Sequence, residues 1–105
     1  MIKDNKKILV YLEALVNSVF KILPLYEEGN VGVETYIESL LFDLDSYEEV
    51  IEAEHGAEYV SLMLTLTSLK KEVVKNDGKK TIVKREVFKC INVIKNMAGK
   101  LQEGA

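Results

Sequence analysis

The stretch at residues 57–75, AEYVSLMLTLTSLKKEVVK, decides between a helical and a mixed fold. Its middle, from Leu62 to Thr67, alternates in a way that is typical of a half-buried strand. Over the whole stretch, however, apolar residues recur at the spacing of one helix face: Tyr59, Leu62, Leu66, Leu69 and Val73. The stretch is also longer than an ordinary strand. We therefore predict a helix over residues 57–75.

Other segments show the same helical period. A first helix is predicted over residues 4–23, where Pro24 ends or kinks it because proline lacks the backbone N–H. A second helix begins near Val33. The last helix covers residues 81–101, with Arg85, Lys89, Asn92, Asn96 and Lys100 as a polar stripe opposite its apolar face.

Two junctions leave alternatives open. Ser46 and Glu49 match a capping box, which predicts a short third helix that ends near residue 54, before Gly56. The alternative is one long helix over residues 33–54. The turn Asn76-Asp77-Gly78 either joins two helices, which the helical period favours, or closes a β-hairpin.

These elements predict an all-α fold, a compact bundle of four to five helices, and one helical domain over residues 1–105. The first and fourth helices are apolar on more than one side. A small bundle cannot cover all of that surface, so we expect a homodimer.

The cysteine content and the lengths of the apolar runs indicate in which cellular compartment the protein is expected. The single cysteine, Cys90, excludes an intrachain disulfide and is typical of a reducing compartment. The longest apolar run, residues 8–25, is interrupted by Glu13 and Lys21, so we expect no membrane span and no membrane partner. A cytoplasmic protein is predicted.

Charge is segregated along the chain. Between Lys21 and Lys70 there are eleven acidic residues and no lysine or arginine, whereas ten basic residues occur from Lys70 onward. Such segregation indicates surfaces that meet other surfaces. We predict a small interaction or regulatory protein with an unidentified protein partner, and lysine-rich usage suggests a bacterial or phage origin. The acidic face that we expect to bind comprises Glu34, Glu38, Asp45, Glu48, Glu49 and Glu52.

A catalytic set is not visible in the sequence. Nucleophilic catalysis needs a nucleophile beside an oriented base, and the chain has one histidine and one cysteine. We therefore predict no catalytic residue and no cofactor, and we favour a protein that is not an enzyme.

A metal-dependent enzyme is the alternative from another class. Glu48, Glu49 and Glu52 read E-E-x-x-E, which resembles the first half of the magnesium motif of MazG-type nucleotide pyrophosphohydrolases, an all-α family. The second half, E-x-x-D, is absent. Glu52 and His55 also form Glu-x-x-His, a spacing that di-iron bundles use. On this alternative Glu48, Glu49, Glu52 and His55 would hold magnesium or iron.

Nucleic-acid binding is a further alternative. It would use a basic cluster near the last turn: Lys79, Lys80, Lys84, Arg85 and Lys89. The sequence pI of about 5.2 and the single arginine argue against it, because nucleic-acid-binding domains are usually basic and arginine supplies bidentate base contacts. Nucleic acid is therefore the less favoured partner.

Overall fold

The computed structural model describes the backbone of residues 2–29, 31–75 and 80–104, and the side chains of residues 6–29, 31–49, 51, 55–75 and 80–101. Within these ranges the chain is helical and contains no strand. The helices are α1 (Ile2–Phe20), α2 (Ile22–Glu27), α3 (Val33–Asp45), α4 (Glu48–Lys75) and α5 (Lys80–Gly104). The prediction of an all-α bundle of four to five helices is confirmed.

The break between α1 and α2 follows from Pro24. Proline has no N–H to donate to the carbonyl of Phe20, four residues earlier, so the helical ladder weakens there. The neighbouring bonds, from Lys21 N–H to Asn17 O and from Leu25 N–H to Lys21 O, are both 3.3 Å long. The regular helix is interrupted at Lys21, three residues before Pro24. The helical path nevertheless continues to the end of α2 instead of stopping at residue 23.

The junction between α3 and α4 differs from the predicted capping box. Since α4 begins at Glu48 and the Ile51 N–H donates to Tyr47 O at 3.0 Å, Tyr47 is the N-cap. The Ser46 hydroxyl instead donates to the Asp43 carbonyl, 2.6 Å away, at the end of α3. One uninterrupted helix over residues 33–54 is also wrong, because the chain makes a turn between α3 and α4.

A kink at His55 divides α4 into two helices, as the predicted break after residue 54 requires. His55 has φ −133° and ψ 41°, outside the helical region. In a straight helix Glu48 and Lys70 would be about 33 Å apart, too far for Lys70 to reach back to α3. Yet Lys70 Nζ lies 3.7 Å from Glu38 Oε1. The chain therefore turns back at His55, and residues 56–75 run antiparallel to α3.

The bundle is 44 Å long and 21 × 20 Å across. Helix α5 packs between α1 and α4, and α3 packs between α4 and α2. The predicted stripe of residues 57–75 is buried in full, and α5 contributes its apolar side: Val83, Val87, Cys90, Ile91, Ile94, Met97 and Leu101. Ala98, on the same side of α5, is half-buried.

The β-hairpin alternative is wrong. Asn76, Asp77 and Gly78 lie outside the described residues, but both flanks of the turn are described. Val73 and Val74 lie in the last turn of α4, and Ile82 and Val83 lie in the first turn of α5. The turn therefore lies between two helices, as the favoured interpretation of the sequence predicts.

One stretch, Lys6–Glu27, is long and apolar enough to cross a membrane by length and composition alone. In the bundle its inward side belongs to the common core: Ile8, Leu12, Leu15, Val19 and Ile22. Core helices pass the same test of length and composition, so this stretch gives no argument for a membrane.

A hydrogen bond between α3 and α1 gives a testable contribution to stability. The Tyr36 hydroxyl donates to the Ser18 carbonyl at 2.7 Å. Tyr36→Phe removes that donor, so we expect the free energy of unfolding to fall by about 1 kcal/mol. Urea denaturation measures the change. Tyr26→Phe is the control, since the described residues offer its hydroxyl no hydrogen bond; equal losses in both variants would contradict this role.

Candidate protein-binding surface

The predicted acidic face extends over α3 and the first turn of α4. Its members Glu38, Asp45, Glu48 and Glu49 have exposed side chains, and Glu34 is half-buried. The Glu52 side chain lies outside the described residues. The fold therefore places the described members on two consecutive helices of the same chain segment, on the side away from the core.

An exposed aromatic residue lies in this acidic region. Phe42 is 77% exposed on α3. Glu38, four residues earlier, and Asp45, three residues later, lie on the same side of the helix, and Asp43 is also exposed. We call Phe42, Glu38, Asp43 and Asp45 the Phe42 patch. An aromatic side chain with a charged rim is the usual anatomy of a protein-binding surface.

Sequence reasoning missed Phe42. A usable signal existed, because the buried stripe of α3 consists of Val33, Ile37, Leu40 and Leu44. Phe42 is out of phase with that stripe, about half a helical turn away from it. A large aromatic residue at such a position faces away from the core, so its exposure could be predicted from the helical period of the buried residues.

In the folded chain, some residues of the basic end lie next to residues of the acidic window and neutralise part of their charge. Ion pairs among the described residues join different helices: Lys70–Glu38 at 3.7 Å, Lys80–Glu27 at 3.4 Å and Lys100–Glu58 at 3.0 Å. Each takes its lysine from the basic end of the chain and its glutamate from the acidic window. Exposed pairs of this kind contribute little to stability. They do, however, lower the net charge of the surfaces between the helices.

The carboxylates at the end of α3 are not cancelled in this way. Among the described side chains, Asp43 and Asp45 form no ion pair. Their charge is therefore not neutralised by an ion pair and can attract a basic partner over several ångströms. Asp45 lies on the same side of α3 as Phe42, whereas the charge of Asp43, the next residue after Phe42, also acts on the Tyr11 hydroxyl. Glu38 is paired with Lys70, so the unpaired charge of the Phe42 patch is that of Asp43 and Asp45.

Among the described residues, the predicted metal ligands Glu48, Glu49 and His55 do not form a cluster. Glu48 and Glu49 are consecutive on the first turn of α4, and no three His, Cys, Asp or Glu side chains converge among the described residues. The kink at His55 also breaks the helical face that a Glu-x-x-His pair would share. His55 Nδ1 instead lies 3.6 Å from Glu58 Oε1.

Glu58 is held in turn by α5. Its Oε2 accepts a hydrogen bond from Lys100 Nζ at 3.0 Å. This bond is the main cause that lowers the pKa of the Glu58 carboxyl below its usual value, and the charges of Lys100 and His55 act in the same direction. His55, Glu58 and Lys100 thus form a chain of contacts that ties the kink of α4 to the end of α5.

The predicted nucleic-acid residues are exposed on α5. Lys80, Lys84, Arg85 and Lys89 all face solvent, and Lys79 lies outside the described residues. Lys80 pairs with Glu27, and Arg85 Nε lies 4.0 Å from Glu86 Oε2. These carboxylates reduce the positive potential that a phosphate backbone would meet, so the arrangement adds no support for nucleic-acid binding.

A tyrosine pair lines a shallow groove of about 570 Å³ between α1 and the start of α4. The rings of Tyr11 and Tyr47 are stacked, with centroids 4.1 Å apart. Burial, and next the charge of Asp43, raise the pKa of the Tyr11 hydroxyl. Val10 and Ala14 form the apolar floor beside the rings.

The apolar excess predicted for α1 and α4 is present on the surface. Val10 and Phe20 are exposed on α1, and Val60, Leu64 and Val74 are exposed on α4. Phe20 packs edge-on against Phe88 of α5, with centroids 5.9 Å apart. Among the described residues, none from another helix covers Val60, Leu64 and Val74 of α4, which remain exposed.

Comparison with protein-family models, curated proteins and solved structures finds no match for this chain. Any indication of function therefore comes from the chain's own surfaces. Of these, the Phe42 patch combines an exposed aromatic side chain with uncompensated charge.

Proposed function

We propose that this chain is a small, non-enzymatic regulatory protein of the cytoplasm that binds a protein partner through the Phe42 patch. The observation that carries the proposal is the 77% exposure of Phe42 among carboxylates on α3. Aromatic residues, phenylalanine included, are enriched at the core of protein interfaces relative to the rest of the protein surface.

The chemistry of the patch defines the partner. Phe42 fits an apolar socket, and the carboxylates of Glu38, Asp43 and Asp45 fit basic side chains around it. Complementary charge raises the association rate and fixes the orientation of the complex, whereas the buried aromatic supplies most of the affinity. A basic cleft with an apolar floor, including one that otherwise holds nucleic acid, meets both requirements.

The proposal predicts a selective loss of binding in Phe42→Ala. Truncating a central aromatic anchor costs about 2 kcal/mol or more, a loss of at least about 30-fold in affinity. Affinity purification from the native cell, with wild type and variant as baits, measures it. Phe88→Ala is the control, because Phe88 is also an exposed phenylalanine, at 42%, but lies on α5, where its ring packs against Phe20.

The expected result is one or more proteins recovered with wild type and Phe88→Ala and depleted with Phe42→Ala. Recovery should also fall as salt is raised, because screening removes the contribution of the carboxylates. Identical recovery with all three baits would contradict the assignment of the patch.

A further inference from the structure

The groove beside the tyrosine pair combines aromatic, apolar and cationic side chains. Its lining residues on α1 recur every three or four positions and so share one side of the helix: Lys6, Lys7, Val10, Tyr11 and Ala14. Tyr47, the N-cap of α4, lines it from the other side. Its volume of about 570 Å³ is within the usual range of small-molecule sites, roughly 300–1,000 Å³.

The two tyrosine rings give the groove a flat aromatic wall. They are stacked with an angle of 15° between their planes, and both residues are half-buried, so part of each side chain stays accessible. Val10 and Ala14 are exposed and add apolar surface beside the rings. Aromatic rings favour stacked or edge-on contact with another ring. The wall is therefore suited to a planar, apolar molecule.

The Tyr11 hydroxyl is buried, and among the described residues it has no hydrogen-bond partner. Buried hydroxyls in native proteins are nearly always paired, because an unpaired one loses its bonds to water without replacement. The Tyr11 ring is therefore held by stacking and packing alone. A shift of the ring that pairs its hydroxyl lowers the free energy, and a molecule bound in the groove can provide that partner.

The charges around the groove select and orient an anionic molecule. Lys6 and Lys7 are exposed one turn before Val10 and Tyr11, and neither forms an ion pair with another described side chain. Burial and, after it, the charge of Asp43 raise the pKa of the Tyr11 hydroxyl. The same charge of Asp43 repels a second carboxylate from that position. An anionic group is therefore favoured at the lysines.

We propose that this groove binds a small aromatic carboxylate, with its ring against Tyr11 and Tyr47 and its carboxylate at Lys6 and Lys7. From the lysines to Ala14 the α1 side of the groove is about 12 Å long, which accommodates a molecule of one or two fused rings with a short acidic side chain. None of the lining residues carries an amide or a carboxylate to read the polar edges of a nucleobase, so an apolar ring is favoured. The inference is independent of the proposed function, because no lining residue belongs to the Phe42 patch.

The test compares two probes with the same ring: indoleacetate, which is an anion, and indoleacetamide, which is neutral. Each is titrated into the isotope-labelled full-length protein, and binding is followed by chemical-shift changes in two-dimensional NMR spectra. A probe of this size is expected to bind with a Kd on the order of 1 mM. The shifts should be concentrated at residues 6–14 and Tyr47, and indoleacetamide should bind about 5-fold more weakly.

A double variant, Lys6→Gln with Lys7→Gln, tests the role assigned to the lysines. It should lose the preference for indoleacetate and keep its affinity for indoleacetamide, because only the charge is removed. The matched control is Lys84→Gln with Lys89→Gln, which removes two exposed lysines of α5 and should keep the preference. The NMR spectrum of each variant shows in the same experiment that it is folded.

Three results would overturn the inference. The first is an absence of shift changes at residues 6–14 and Tyr47 with millimolar indoleacetate. The second is equal affinity for the two probes, which would mean that the groove recognises an apolar ring and no charge. The third is a preference for indoleacetate that persists in the variant without Lys6 and Lys7, which would place the anionic group elsewhere.

Discussion

Leu12→Ala is expected to lower the free energy of unfolding by about 2–5 kcal/mol, the usual cost of removing a buried leucine side chain. Leu12 is 0% exposed and lies in the core where α1 meets the other helices. For a chain of this length such a loss lowers Tm by at least about 10 °C. Thermal unfolding followed by circular dichroism measures it.

Val10→Ala is the control for this experiment. Val10 lies on the same helix, two residues earlier, and is 63% exposed. Substitutions at exposed sites usually change stability by less than about 0.5 kcal/mol. Equal losses of stability in both variants would contradict the structure, in which the Leu12 side of α1 faces the core and the Val10 side faces solvent.

The Cys90 thiol is expected to react at least about 10³-fold more slowly in the native protein than in the unfolded chain, in proportion to the small population of open states. Cys90 is 0% exposed on α5. Burial, and next the charge of Glu86, raise the pKa of its thiol to about 12. Because the thiolate is the reactive form, the buried position of the thiol and its small ionised fraction at pH 8 both slow the reaction.

The rate of reaction with a chromogenic disulfide at pH 8, with and without denaturant, measures this protection. The matched control is Asn92→Cys in a Cys90→Ala background, because Asn92 is exposed on the same helix. That thiol should react in the native protein at nearly its unfolded rate. Rapid labelling of native Cys90 would show that α5 does not bury this position.

The faces of the long helices could be predicted from the sequence, because their period is strong. The inward stripe of residues 57–75 is buried as expected, and the stripe from Arg85 to Lys100 on α5 is exposed as expected. Both depend only on the geometry of a single helix. The helix break at His55 could also be predicted from the sequence, because Gly56 follows it.

The junction at Ser46 and the ion pairs could not be predicted in the same way. A Ser-x-x-Glu sequence permits a capping box, but the Ser46 hydroxyl also reaches the carbonyl of Asp43 at the end of α3, and that contact is formed. Pairs such as Lys70–Glu38 depend on which helices are neighbours, which periodicity does not specify. The acidic and basic surfaces are therefore less separate than the chain order suggests.

The position of the candidate surface could be predicted from the sequence, but its aromatic residue, Phe42, was not predicted. Glu38 and Asp45 are on the surface, as the acidic window indicated. Charge alone marks out the acidic window, and Phe42 carries none. Its exposure is set by its phase relative to Ile37 and Leu40, so the aromatic anchor is found when the buried stripe is placed first.

Photo-crosslinking in the native cell tests the central claim most directly. The photoreactive analogue p-benzoylphenylalanine replaces Phe42 in one strain and Phe88 in another, so that both probes occupy exposed phenylalanine positions. The account predicts a discrete crosslinked protein adduct from position 42 that position 88 does not give. Absence of any adduct at position 42, or the same adducts from both positions, would contradict it.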